Sequence, residues 1–356
     1  VSPKARQTFS NTVAPYFYSY VLNELETLLG SDVAKEGNFI VETGLNSQLQ
    51  AEAESALEYS ISNDGDRFGY SQGAVVTLDS RNGNILALAG GVNFNQSQFN
   101  RVVQAKRQPG STFKVFAYAA ALEEGIDPDT EYSCDGLTWK GQQYRGCERS
   151  SGDIDMYRGL AQSENVTVLR VAQEVGLKKV IDVAQRLGVK SSLIEAPGVV
   201  IGQSETTVLE MTGAYATIAN DGIWNKPHGI NRVLDGSDCK NPRDRNTCRE
   251  IYVFDDDKQT YRDVISPDVT DELTKMLKEA VEEGTGKAAY IDEGEAGKTG
   301  TTDKNVDLWF VGYAPVDDYD YVTGVWLGND DNSPTRGSSY QAATLWGKYM
   351  KQILTN

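Results

Sequence analysis

The run "RQPGSTFKVFAYAAALEEG", Arg107 to Gly125, limits the possible folds more than any other stretch of the chain. After a Pro-Gly breaker, Phe113, Val115, Phe116, Ala117, Ala119, Ala120, Ala121 and Leu122 make a helix apolar on nearly every face. A helix apolar all round is buried, so other elements must enclose it. Its first turn nevertheless carries Lys114. Burial disfavours a charged amine, so a lysine there is costly unless it is paired or neutral. Ser111 lies three residues earlier, on the same helical face. One reading makes Ser111 an ordinary N-cap. The other makes the pair a nucleophile and its base, set where helix N–H groups and the dipole favour developing negative charge.

Strand patterns fall at both ends of the chain. "GAVVTLDSRNGNILALAGG" reads as two strands joined around Asn82-Gly83, and "EAGKTGTT", "LWFVGYAP" and "YVTGVWLGN" as three more. Between them "MYRGLAQSENVTVLRVAQEVG", "KKVIDVAQRLG", "TTVLEMTGAYATIANDG" and a capped segment from Ser266 to Gly284 are helical. A last helix follows in "QAATLWGKYMKQIL". The expected fold is α+β, one antiparallel sheet of about five strands drawn from both ends and packed with helices, plus a helical subdomain. Residues 1–70 differ in character, with a helix in "APYFYSYVLNELETLLG", a strand in "NFIVETGL" and a helix in "NSQLQAEAESALEYSIS". They read as a connecting segment or subdomain ahead of a main domain over 71–356.

Charge narrows the function classes. With 34 Lys and Arg against 51 Asp and Glu, a net charge of −17 opposes a nucleic-acid backbone or an anionic bilayer. The sequence holds no membrane-length apolar run. It begins at Val1, as a processed chain or an excised piece would. Four cysteines form two local pairs, Cys134 with Cys147 and Cys239 with Cys248, without zinc-site spacing. Two disulfides would suit an oxidising, extracytoplasmic compartment; four free thiols fit the spacing equally well. The single histidine, His228, excludes a histidine-rich metal site and reads as an incidental loop residue. No metal and no cofactor are expected.

Three short signals occur in order: Ser111-x-x-Lys114, Ser163-Glu164-Asn165 and Lys298-Thr299-Gly300. Each is weak alone. Ser163 could cap the helix in "QSENVTVL", and "GKTGTT" could be a plain turn. In combination, and with the surrounding "FNRVVQAKRQPGSTFK", "EMTGAYATIANDG" and "AGKTGTT", the sequence resembles the transpeptidase domain of class A penicillin-binding proteins, within the serine β-lactamase and DD-peptidase superfamily. The resemblance covers residues 70 to 356. The first 70 residues resemble the linker that joins such a domain to an upstream glycosyltransferase, which this sequence lacks.

The resemblance implies a fold of the DD-peptidase type and a role for each motif residue. Ser111 is the acylated nucleophile and Lys114 its proton acceptor. Ser163 relays the proton to the leaving amine and Asn165 holds the substrate amide. Lys298 lowers the proton affinity of Lys114 and Ser163 by its nearby charge. Thr299 and Thr301 bind the substrate carboxylate beside Gly300, and the backbone N–H groups of Ser111 and Thr301 form an oxyanion hole. Substrates would be peptidoglycan stem peptides, with β-lactams as covalent inhibitors. The location would be periplasmic, with a membrane anchor in a missing N-terminal segment. Class A β-lactamases also carry a Glu-x-x-Leu-Asn that activates water; "ETGLN" at Glu42 to Asn46 lies before the nucleophile and reads as a chance match. DD-carboxypeptidase, β-lactamase and β-lactam sensor are the alternatives within the same chemistry.

Overall fold

The computed structural model describes residues 13–254, 260–262 and 264–355. Residues 1–12 of the linker-like segment and 255–259 and 263 of the second Cys-bearing loop lie outside them.

The central sheet contains five antiparallel strands: β1 (Gln72–Asp79), β2 (Ile85–Ala89), β3 (Ala296–Thr301), β4 (Asp307–Val316) and β5 (Tyr319–Gly328), in the order β3-β4-β5-β1-β2. The two ends of the chain meet where β5 pairs with β1, Val325 opposite Val75. The expected assembly from both ends is borne out. The hairpin between β1 and β2 turns through Gly83 at φ 77°.

Antiparallel sheets often leave one face to solvent; this one is covered on both. Ala74, Val76, Leu78, Val311 and Val322 face the cluster that includes Met211, Ala214 and Tyr215 of helix Val208–Ala219. Val75, Leu308, Phe310, Val325 and Leu327 face the opposite cluster, which holds Leu49, Ala53 and Leu57 of helix Ser47–Ser60 and Trp346, Tyr349 and Met350 of helix Ser339–Thr355. Two-sided burial explains the near-continuous apolar runs in these strands. The segment before residue 70 is thus packed into the same body: its helix Ser47–Ser60 covers the sheet, and strand Phe39–Thr43 pairs with strand Ile230–Cys239.

The apolar helix spans Val115–Glu123, and every residue from Val115 to Ala121 is at most 1% exposed. Helices Met156–Ala161, Asn165–Val175, Leu177–Arg186 and Pro267–Glu282 supply side chains to the cluster around it. Helix Val208–Ala219 starts with a capping box between Thr207 and Glu210, and Pro267–Glu282 with Ser266 as its cap.

Both cysteine pairs are disulfides, Cys134–Cys147 and Cys239–Cys248. His228 departs from expectation. It is 1% exposed, stacks on Phe254 with ring centroids 3.4 Å apart, and places Nδ1 2.9 Å from Lys226 O and Nε2 3.1 Å from Asn231 Oδ1. It is a buried anchor of its loop, because both ring nitrogens find local partners. No described helix is long and apolar enough to cross a membrane.

Candidate active site

The first motif is not an α-helical turn. Gly110–Lys114 forms a 3-10 turn that leads into the apolar helix. In a 3-10 turn residues three apart eclipse each other, so Ser111 and Lys114 remain on one side. The turn begins at Gly110 with φ 55°, where a side chain would be strained. Its backbone abuts β3: a Cβ on Gly300 would lie 2.4 Å from Pro109 O, and one on Gly110 would lie 2.8 Å from Thr301 O. The two glycines therefore allow the nucleophile turn and the third motif to touch backbone to backbone. Gly300 serves this approach and does not line the cleft described below.

The second motif interrupts what the sequence reads as one helical run. Helix Met156–Ala161 ends, and helix Asn165–Val175 begins with Glu164 as its cap residue and no side-chain cap. Ser163 sits in the break at φ 57°, a left-handed conformation uncommon for a residue with a Cβ. Its hydroxyl does not cap the helix. It accepts from Lys298 Nζ at 2.9 Å and from Lys114 Nζ at 3.3 Å, while its carbonyl accepts from Lys114 Nζ at 2.6 Å. Glu164, 1% exposed, accepts the backbone N–H groups of Glu148 and Arg149 at 2.8 and 2.7 Å. That places the chain just beyond Cys147 at the edge of the motif.

The third motif lies on β3 as a strand, Lys298 opposite Val311 and Thr299 opposite Phe310. Thr299 Oγ1 is 2.7 Å from Thr285 Oγ1 and accepts from Lys298 Nζ at 3.3 Å. Thr301 Oγ1 accepts from the Ser339 N–H at 3.3 Å.

Lys114 and Lys298 are both 0% exposed and both donate to Ser163. Burial pulls the Lys114 amine down to about 7; the carboxylate of Glu164 opposes that fall and the guanidinium of Arg149 assists it. Lys298 is held well below the ordinary lysine range, by burial first and by the neighbouring Lys114 second. Two ammonium groups on one hydroxyl are the disfavoured state, and a neutral amine is available there near neutral pH.

Ser111, Ser163, Asn165, Thr299 and Thr301 open on one cleft of about 550 Å3, rimmed by Arg149, Thr285, Asp303, Lys304 and Tyr340. The lysines lie behind Ser163. Lys114 bonds Ser163 rather than Ser111, and among the described residues the Ser111 hydroxyl makes no hydrogen bond. Glu42 accepts from Arg232 at 2.8 Å and pairs with Arg245 at 3.2 Å, and it does not line this cleft.

The family model of the penicillin binding protein transpeptidase domain matches residues 73–352. The chain belongs to that family. Penicillin-binding protein 1A of Rickettsia typhi is 35% identical over 278 residues, 72% of this chain and 35% of the relative. The Neisseria meningitidis protein of the same name is 33% identical over 315 residues, 83% of this chain and 38% of the relative. This transpeptidase domain thus spans little more than a third of the length of those relatives. Among solved structures, PonA1 of Mycobacterium tuberculosis in complex with penicillin V superposes with a TM-score of 0.82 at 26% identity, covering 97% of this chain and 94% of that one. Penicillin-binding protein 1A of Haemophilus influenzae shares the fold with a TM-score of 0.79 at 22% identity, over 96% of this chain and 70% of that one.

Thr285 and Glu164 are site residues that sequence reading passed over. Thr285 belongs to no motif and reaches Thr299 only because helix Pro267–Glu282 ends beside β3. Glu164 was visible as the spacer of the second motif, and its carboxylate flanking a break between helices is the signal that could have marked it.

Proposed function

We propose that this transpeptidase domain is a serine-type D-Ala-D-Ala acyltransferase that cross-links peptidoglycan stem peptides. The observation that carries the reading is the Lys114–Ser163–Lys298 arrangement, one hydroxyl that opens on the same cleft as Ser111 and is bonded to two buried amines. Ser111 Oγ attacks the carbonyl carbon of the penultimate D-Ala, and Lys114, neutral near pH 7, takes its proton. The C–N bond breaks, and Ser163 passes the proton to the departing D-Ala amine. An amine of a second stem then attacks the Ser111 ester, giving the cross-link and returning the hydroxyl proton.

The remaining roles are those that the family resemblance implies. Asn165 meets the donor amide at the cleft wall. Thr299 and Thr301 hold the terminal carboxylate. The Ser111 and Thr301 amides belong to abutting backbones and take the oxyanion, each donor being worth roughly 100- to 1,000-fold in rate. Glu42, engaged by two arginines away from the cleft, supplies no water activation, so the ester waits for an amine. In this reading residues 1–70 link the domain to an upstream glycosyltransferase, residues 71–356 form the transpeptidase domain, and the protein works outside the cytoplasm under a membrane anchor. The two disulfides fit that compartment.

Intact mass after exposure to a penicillin tests the proposal. The mass should rise by one drug molecule, the adduct should map to Ser111, and it should persist in a chase with unlabelled drug. An adduct retained by Ser111→Ala, or rapid multiple turnover, would overturn it.

A further inference from the structure

A second buried polar cluster begins at Arg107, just before the nucleophile turn, and is built from residues outside the three motifs. Arg107 is 7% exposed, Asp307 4% and Trp326 0%. The Arg107 guanidinium donates to Asn329 O at 2.8 Å and Asp330 O at 3.3 Å, bonds Asn332 Oδ1, stands 3.6 Å from Asp307 Oδ1 and stacks on the Trp326 ring with its carbon 4.9 Å from the centroid. Asp307 accepts Trp326 Nε1–H at 3.0 Å and the Thr302 hydroxyl at 3.2 Å, and its own N–H donates to Thr302 Oγ1 at 2.9 Å. The Arg107 backbone is fixed independently by paired bonds with Thr206.

The covalent positions of these residues give the cluster its meaning. Arg107 is four residues before Ser111; Thr302 directly follows Thr301. A side-chain chain Arg107–Asp307–Thr302 therefore spans the two backbone segments whose amides would receive the oxyanion, and those segments touch at Gly110 and Thr301. We propose that Arg107 and Asp307 are positioning residues that set the width of the oxyanion hole by clamping the nucleophile turn to the end of β3. The inference rests on the acylation of Ser111 proposed above.

Amide donors about 1 Å out of place lose on the order of 100-fold in rate. A loosened clamp should slow acylation while drug binding before acylation changes little, because Thr299 and Asn165 are untouched. The decisive readout is the ester carbonyl stretch of the penicilloyl-enzyme. Hydrogen bonds from the hole lower that frequency, so Asp307→Asn should move the band to higher wavenumber and slow acylation about 10- to 100-fold. Thr302, which also lines the cleft, makes both of its side-chain bonds to Asp307; Thr302→Val cuts those two and leaves the buried ion pair intact, so it should shift the band the same way even if Asp307→Asn fails to fold. A merely structural cluster would lower Tm and leave the band of folded enzyme where it was; an unmoved band in Thr302→Val overturns the inference. Failure of the wild type to acylate at Ser111 would instead overturn the proposed function.

Discussion

The two buried polar clusters that adjoin the nucleophile turn solve opposite problems. In the first, Lys114 and Lys298 bring two potential like charges to one hydroxyl, and burial disfavours both. In the second, Arg107 and Asp307 carry opposite charges, and carbonyls, an indole N–H and a hydroxyl bond to them. Opposite charges hold the second cluster in place; two like charges brought together in the first let a proton be held loosely. Reactivity and rigidity are thus both tied to a single five-residue turn, Gly110–Lys114, which holds Lys114 and follows Arg107.

Truncating one member of each cluster should separate these roles most widely. Lys114→Ala removes the base and one of the two competing amines, so acylation should fall by about 100- to 10,000-fold, the range of general-base catalysis, with little loss of Tm. Arg107→Ala leaves the Asp307 carboxylate buried without its cation and should cost about 3–5 kcal/mol of stability, read by urea unfolding. If Lys114→Ala unfolds the domain, or Arg107→Ala leaves stability unchanged, the contrast between the clusters fails.

A smaller effect appears in pH. Lys114 titrates near 7 in the folded domain and in the ordinary lysine range when unfolded. Between those values the unfolded chain binds more protons, so stability rises with pH from about 7 upward. Acylation should rise over the approach to pH 7 as the amine becomes neutral. Lys114→Met should flatten the stability slope by up to about 1.4 kcal/mol per pH unit, the weight of one proton. A slope unchanged in Lys114→Met would mean that Lys114 keeps its proton in the folded domain.

Sequence made the sheet and the motifs legible for physical reasons. The β1–β2 turn announces itself through Asn82-Gly83, and strands buried on both faces appear as apolar runs. The enclosing layers follow from the apolar sweep of Val115–Ala121. Several site details were not legible, since they depend on partners far along the chain. Nothing local to Arg107 points to Asp307, 200 positions later. Apolar spacing continues through "LAQSENVTVL" and hides the break at Ser163, which is made by Lys114 taking the Ser163 carbonyl and hydroxyl. The same bond turns Lys114 away from the Ser111 partnership that three-residue spacing suggests. His228 was misread because burial of a loop depends on Phe254 and Asn231 packing against it.

That break contains the smallest effect worth measuring, and it tests whether strain belongs to the reactive cluster. Ser163 holds φ 57° although it carries a Cβ, and no described hydrogen bond of its hydroxyl satisfies a helix end. The left-handed conformation costs an ordinary residue about 1–2 kcal/mol and glycine almost nothing. Ser163→Ala and Ser163→Gly both delete the hydroxyl, so both should lose the proton relay and slow acylation to a similar degree. Only glycine relieves the backbone. It also gains freedom in the unfolded chain, which subtracts roughly 0.5–1 kcal/mol from the benefit. The glycine variant should therefore exceed the alanine variant by about 0.5–1 kcal/mol in urea unfolding while matching it in acylation. Equal stability of the two would mean that the Lys114 bond to the Ser163 carbonyl sits on an unstrained backbone. The reactive cluster would then owe its looseness to charge alone.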